Sequence, residues 1–261
     1  MELNSNVTSV VAGGASGLGH ATAVALAATG CRVAIFDLNR ELGEAAARET
    51  GGSFHLVDVT DPASIDAGLA EVERAHGTAR VVVNCAGIAP AMKTVSRDRL
   101  TGTPSHHDLD VFARVVAVNL TGTFNLAAMA AAHMARLDAL APDQERGVIV
   151  LTSSIAAEDG QIGQVAYAAS KAGVAGMVLP MARDLAREGI RVVTIMPGLF
   201  ETPMLAGLPA DVQAALGRTI PFPGRLGAPA EFAGLVKSIV GNVMLTGCAI
   251  RLDGGLRMPP R

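Results

Sequence analysis

Seven short apolar runs recur along this chain, and an Ala-rich stretch with helical spacing separates most of them. That alternation restricts the fold more than any other feature. The runs are NVTSVVAG (6–13), RVAIFD (32–37), SFHLVDV (53–59), RVVVNCAG (80–87), GVIVLTSS (147–154), IRVVTIMPG (190–198) and CAIRLDG (248–254). Their lengths and Val/Ile content suit parallel strands buried on both faces. Helices are predicted near 17–29, 40–50, 62–76, 107–136, 164–188 and 229–241. Asp61-Pro62 reads as an N-cap followed by proline at the first helical position. Two stretches lack clear periodicity, about 88–106 and the Pro- and Gly-rich 197–228. Both follow strands at the edge where open α/β sheets bind ligands, so they are expected to form a substrate rim and a mobile lid.

Strand alternating with helix predicts an α/β protein: one Rossmann-type domain over residues 1–261, a doubly wound parallel sheet of about seven strands with helices on both faces. Half the residues are hydrophobic but only 3% are aromatic, so the core must be aliphatic. The formal net charge, 21 − 24 = −3, offers no attraction to nucleic acid or a membrane surface. Cys31, Cys85 and Cys248 lie far apart, which argues against a disulfide framework or a zinc site and suits a reducing compartment. The opening MELNSNVTSV lacks the basic start and apolar run of a secretory signal, and no unbroken apolar run reaches the roughly 18 residues of a membrane span. The expectation is a soluble cytoplasmic protein with no nucleic-acid or membrane partner. His106-His107 has no third ligand at a convincing spacing, so no metal is expected.

The first run leads into Gly13-Gly14-Ala15-Ser16-Gly17-Leu18-Gly19 and then an Ala-rich helix. A glycine-rich turn lets backbone approach a pyrophosphate, and the helix start supplies free N–H groups and a positive dipole end. The position between first strand and first helix is what makes this a dinucleotide signal. Asp37 ends the second run, where its carboxylate can accept hydrogen bonds from adenosine ribose hydroxyls and repel a 2′-phosphate. No Lys or Arg lies between Val11 and Cys31. Both facts favour NAD over NADP. Asp58-Val59 ends the third run and can meet adenine. Asn84-Cys85-Ala86-Gly87 ends the fourth, where small residues let a cofactor pass.

The single tyrosine, Tyr167, lies four residues before Lys171, one of only three lysines. On a helix these two share a face. A neighbouring ammonium and an oxidised nicotinamide both favour phenolate, so Tyr167 is expected to ionise below its usual value of about 10 and to serve as general base toward an alcohol. Ser154 ends the fifth run, and its hydroxyl can hold the substrate oxygen against Tyr167; Ser153 is a near rival.

Gly13-x3-Gly17-x-Gly19, Asn84-x-Ala86-Gly87, Asn119 and Ser154-x12-Tyr167-x3-Lys171 together resemble the short-chain dehydrogenase/reductase superfamily, from about Val7 to Met258. A closer resemblance is to the type II 3-hydroxyacyl-CoA dehydrogenases, also called type 10 17β-hydroxysteroid dehydrogenases. It is carried by VAGGASGLG (11–19), VNCAGIA (83–89), VNLTGTFN (118–125), GQIGQVAYAASKAG (160–173), MARDLAREGIRVVTIMPGLFETPML (181–205) and PFPGRLGAPAEFAGLV (221–236). The resemblance implies NAD, a homotetramer, and oxidation of (S)-3-hydroxyacyl-CoA thioesters, as in fatty acid metabolism, with steroid alcohols accepted by some members. It implies Asn119, Ser154, Tyr167 and Lys171 as catalytic residues, with Ser154 and Tyr167 holding substrate and Asn119 supporting a water chain to Lys171. It places Ser16 and Leu18 at the pyrophosphate, Asp37 at the adenosine ribose, and Asp58 and Val59 at adenine. Cys85 falls on the nicotinamide-ribose path, Phe200 and Thr202 after Pro197-Gly198 fall at the nicotinamide end, and Lys171 falls at its ribose.

Two positions depart from the superfamily. Ala12 stands where most members have a Thr that ties the glycine loop to a neighbouring strand, and Cys85 replaces the second Asn of Asn-Asn-Ala-Gly, a change the closer family shares. Lys93, Arg97 and Arg99 are candidate contacts for CoA phosphates. Two alternatives stay open: a dehydrogenase of steroid or other apolar secondary alcohols, and an NAD-binding scaffold subunit, since the closer family includes a subunit of a tRNA-processing assembly.

Overall fold

A computed structural model describes residues 1–207 and 209–260; Leu208, inside the expected lid, lies outside the described residues. Seven parallel strands form one sheet: β1 (Thr8–Ala12), β2 (Arg32–Asp37), β3 (Ser53–Leu56), β4 (Val81–Asn84), β7 (Gly147–Thr152), β8 (Ile190–Pro197) and β9 (Ala249–Leu252). Their order is β3-β2-β1-β4-β7-β8-β9, so the chain reverses direction between β1 and β4. That reversal opens a crevice at the carboxyl ends of the strands. Strands β1, β4, β7 and β8 are buried along their whole length, which is why they read as unbroken apolar runs.

The helices are α1 (Gly17–Ala27), α2 (Arg40–Thr50), α3 (Pro62–His76), α4 (Leu109–Val116), α5 (Gly122–Met134), α6 (Ala156–Asp159), α7 (Val165–Asp184), α8 (Pro203–Ala206), α9 (Ala210–Arg218) and α10 (Pro229–Gly241). One aliphatic cluster packs α3, α5 and α7 on one face of the sheet through Ile65, Leu126 and Val174. A second packs α1 and α10 on the other face through Leu26 and Phe232. The Asp61 carboxylate accepts from the Ala63 N–H at 2.9 Å and caps α3 as expected.

Several boundaries differ from the sequence expectation. The third run stops pairing at Leu56, so Asp58 and Val59 lie beyond the strand. The fifth stops at Thr152, two residues before Ser154. The 88–106 stretch contains an antiparallel hairpin, β5 (Val95–Arg97) with β6 (Pro104–His106), too short and polar to show alternation. Residues 197–228 hold α8 and α9. The helix expected over 107–136 is interrupted by a π-helical turn, Ala117–Thr121. The segments Leu109–Met134 and Val165–Asp184 are long and apolar enough to cross a membrane by length and composition, although no unbroken apolar run suggested it. Their inner faces belong to the core.

Arg191 on β8 braces the edge of this fold opposite the crevice. It is buried, donates to Glu145 at 2.8 Å, and satisfies the carbonyls of Ile239, Val240, Asn242 and Leu245 at the end of α10. Arg191→Ala leaves a buried carboxylate and four carbonyls without the guanidinium. It is predicted to cost about 3–5 kcal/mol, read as a lower urea midpoint with unchanged slope.

Candidate active site

The crevice is a cleft of about 820 Å³ running from the start of α1 to the start of α7. Its adenosine end is built on the glycine loop. Gly13 has φ +70°, and a Cβ there would lie 2.7 Å from the Ala86 N; a Cβ on Gly19 would lie 2.0 Å from the Gly13 carbonyl oxygen. Only glycine fits these positions. The tie missing at Ala12 is supplied elsewhere. The Gly13 N–H donates to the Phe36 carbonyl at 2.8 Å, and the Ala15 N–H donates to Asp37 Oδ2 at 3.1 Å. Asp37 Oδ1 accepts from the Asn39 N–H. Asp37 thus anchors the loop as well as lining the cleft. Ser16, Gly17, Leu18, Asp58 and Val59 line the same end. The backbone cradle therefore fits a dinucleotide pyrophosphate.

The chemical end is assembled around Lys171. Its ammonium is buried, donates to the Thr152 carbonyl at 2.8 Å, and lies 5.7 Å from the Tyr167 ring centroid. The Ser153 hydroxyl donates back to the Lys171 carbonyl at 2.7 Å. That bond ties up Ser153. Ser154 Oγ accepts from the Ala156 N–H at 3.1 Å and also faces the Tyr167 phenol. Cys85, Ala86 and Gly87 line the cleft with Lys171, and so do Pro197, Gly198, Phe200 and Thr202.

Asn119 does not line the cleft. It sits in the π turn, fully buried, with Oδ1 accepting from the Ile88 N–H and Nδ2 donating to the Ile88 carbonyl, both at 2.8 Å. Nδ2 also donates to Ser170 Oγ at 3.1 Å. Gly87 is wedged between these groups: a Cβ there would lie 3.1 Å from Asn119 Oδ1 and 3.5 Å from Lys171 Nζ.

Burial sets the titration of this end. It lowers the Lys171 ammonium to about 8 and raises the Cys85 thiol to about 11. Burial also raises Tyr167, outweighing the Ser154 hydroxyl that pulls the other way. Within the chain itself burial thus favours the protonated phenol, whereas the expected lowering counts on an oxidised nicotinamide beside it as well as on the Lys171 ammonium.

Arg97 donates to Gly102 inside its own hairpin, and neither Arg97 nor Arg99 reaches the cleft. Lys93 lines an adjoining pocket of about 400 Å³ that shares Gln161 and Gln164 with the cleft. His106 and His107 direct ring nitrogens at neighbouring carbonyls, and among the described residues no group of three or more His, Cys, Asp or Glu side chains is placed to hold a metal. Leu38, Thr60, Arg114, Gln161, Gln164 and Met258 line the cleft but were not singled out from sequence.

The short-chain dehydrogenase model matches residues 8–213, and the chain belongs to that family: it is an oxidoreductase working with a nicotinamide dinucleotide. Among its relatives is the 3-hydroxyacyl-CoA dehydrogenase type-2 of Drosophila melanogaster, 49% identical over 98% of this chain and 99% of that one. The human protein of the same name is 48% identical over 97% of this chain and 96% of its own. The crystal structure of a 3-hydroxyacyl-CoA dehydrogenase type-2 from Mycobacterium avium superposes with a TM-score of 0.92, at 40% identity and 98% coverage of both chains.

A buried lysine lowered to about 8 has a thermodynamic signature. Between about 8 and its ordinary value the unfolded chain holds a proton that the folded chain has lost, so stability rises with pH there. Below that window the charged form is destabilised by about 3 kcal/mol, the difference converted at 1.36 kcal/mol per pH unit. Lys171→Met is predicted to raise the urea midpoint at pH 7 and to flatten its rise toward pH 10, even as turnover is lost.

Proposed function

We propose that this enzyme oxidises 3-hydroxyacyl-CoA thioesters to 3-ketoacyl-CoA with NAD. The observation that carries the reading is a site that pairs Ser154, Tyr167 and a buried Lys171 at one end with an Asp37-anchored glycine loop at the other. Relatives named for that substrate, aligned over nearly the whole chain, support the thioester. Asp37 supports NAD, because a 2′-phosphate beside its carboxylate is repelled. Arg40, the next cation along the chain, is directed over the Phe54 ring and toward Glu44.

A bound nicotinamide dinucleotide supplies the hydride chemistry. Gly13, Ser16, Gly17, Leu18 and Gly19 would hold its pyrophosphate, Asp37 its adenosine ribose, and Asp58 and Val59 its adenine. Cys85, Ala86, Gly87, Pro197, Gly198, Phe200 and Thr202 would enclose the nicotinamide end, with Lys171 holding its ribose hydroxyls. Ser154 and Tyr167 hold the substrate oxygen between them. Tyr167 takes the hydroxyl proton in oxidation and returns it in reduction. Lys171 stabilises the phenolate by charge, and Asn119 keeps the 85–88 segment and the lysine in place for proton return.

Of Lys93, Arg97 and Arg99, Lys93 is the cation beside the cleft and the one assigned to a CoA phosphate. The greasy wall of Leu199, Leu205 and Leu216 also suits a steroid or other apolar alcohol, which is the second reading. No observation favours a scaffold without catalysis. The outer faces of the long helices leave Leu109, Phe124, Val165 and Leu179 exposed, and we assign them to the contacts of a homotetramer in a cytoplasmic enzyme.

Absorbance at 340 nm with NAD or NADP and a panel of 3-hydroxyacyl-CoA thioesters, steroid alcohols and simple secondary alcohols tests this reading. Turnover with NAD and the thioesters is expected. Activity on the other alcohols alone keeps the chemistry and discards CoA. Tyr167→Phe is expected to bind NAD normally by calorimetry while turnover falls at least about 100-fold. Normal turnover in that variant removes the assigned base.

A further inference from the structure

We propose that Met258 closes the far end of the substrate pocket and sets the length of alkyl chain accepted, with Arg251 as the positioning residue that clamps it there. The proposal rests on the reading of the site as one for a 3-hydroxyacyl chain.

After β9 the chain turns through Gly254 and Gly255, both with φ in the left-handed region, and runs back toward the cleft. Leu256 is buried against Ile155, Ile220 and Leu226, and Met258 packs on the same cluster beside Leu199, Leu205 and Leu216. Ile155 directly follows Ser154. Met258, Ile155 and these three leucines also line the cleft. They form an apolar wall starting at the residue next to the reacting oxygen, and Met258 is its unbranched, adaptable component. The wall suits a hydrocarbon chain and offers nothing to a polar one.

The tail is sewn down on the substrate side. The Gln161 side-chain amide donates to the Pro259 carbonyl at 3.0 Å, and the Ile162 N–H donates to the Pro260 carbonyl at 3.1 Å. Residues 161–164 then lead directly into α7 and Tyr167. The second fastening is ionic. Arg251 donates to Glu158 at 2.5 Å, to Asp159 at 2.9 Å and to Asp253 at 2.8 Å, and its Nη2 reaches the Leu256 carbonyl at 2.9 Å. Arg257, in the tail itself, donates to the same Glu158 and Asp159 at 3.0 Å. Glu158 and Asp159 end α6, whose first residue follows Ser154 by two. Two guanidinium groups and three carboxylates thus join the serine-bearing segment, the end of the sheet and the Met258 tail. Such a network holds position better than isolated surface pairs, because each side chain is already ordered by its other partners.

The experiment measures kcat/KM for short-, medium- and long-chain 3-hydroxyacyl-CoA with saturating NAD, together with the KM for NAD. Met258→Ala is expected to move the ratio of long- to short-chain kcat/KM upward by about 10-fold or more, and Met258→Trp to move it downward, with KM for NAD unchanged. Arg251→Gln is expected to flatten the chain-length profile, and Arg251→Lys to restore part of it. A merely structural arginine would alter stability and leave the profile in place. Profiles of both Met258 variants that superimpose on the wild type overturn the proposal. Wild-type silence on every thioester would sink the acyl-CoA reading by itself. The variants are then scored on straight-chain secondary alcohols, where a shift with length sustains Met258 as the wall and an unchanged profile overturns it.

Discussion

Two hydrogen bonds running in opposite senses between the end of β7 and α7 hold this site together. Lys171 Nζ donates to the Thr152 carbonyl, and Ser153 Oγ donates to the Lys171 carbonyl. The strand end that carries Ser154 cannot move relative to the helix that carries Tyr167 without breaking both. The clasp places a cation in a buried setting, which costs stability, and the same burial gives Lys171 and Tyr167 their displaced titrations. A group at an active site that opposes folding is a familiar exchange of stability for function.

A second brace stands behind the first. Asn119 binds both backbone groups of Ile88, and its neighbour in the same network, Thr123, donates to the Asn119 carbonyl while accepting from Asn84. Asn84 in turn accepts from the Ala86 N–H. The segment from Asn84 to Ile88 is thus fastened on the side away from the cleft, which leaves its small residues free to face a ligand. The π turn is the local geometry that aims the Asn119 amide at Ile88. Interruptions of this kind gather at functional sites because they redirect one side chain without ending the helix.

Much of this was legible in the sequence, for a physical reason. Buried parallel strands need long aliphatic runs, and the dinucleotide loop tolerates only glycine at Gly13 and Gly19, so composition itself recorded the structure. The lone tyrosine four residues from a rare lysine was equally readable. Other features left no such trace. The π turn in Ala117–Thr121 does not disturb the apolar pattern of its helix. The hairpin strands beside the rim are three residues each and exposed, so no alternation marks them. The Met258 tail reaches the cleft only through long-range contacts with Ile155 and Gln161, which no spacing reveals. The upward displacement of Tyr167 also escaped, because burial of a phenol is a property of the whole packed site and not of its neighbour four residues on.

Tyr167 is the only tyrosine and the chain has no tryptophan, so the ionisation of one residue can be followed directly by ultraviolet difference absorbance. The measurement is a pH titration of the phenolate signal with and without NAD, repeated in Lys171→Met. The account predicts a phenol that ionises above its ordinary value in the protein alone, falls when NAD is added, and falls less without the lysine. A phenol that titrates at its ordinary value and ignores both NAD and Lys171 would contradict it.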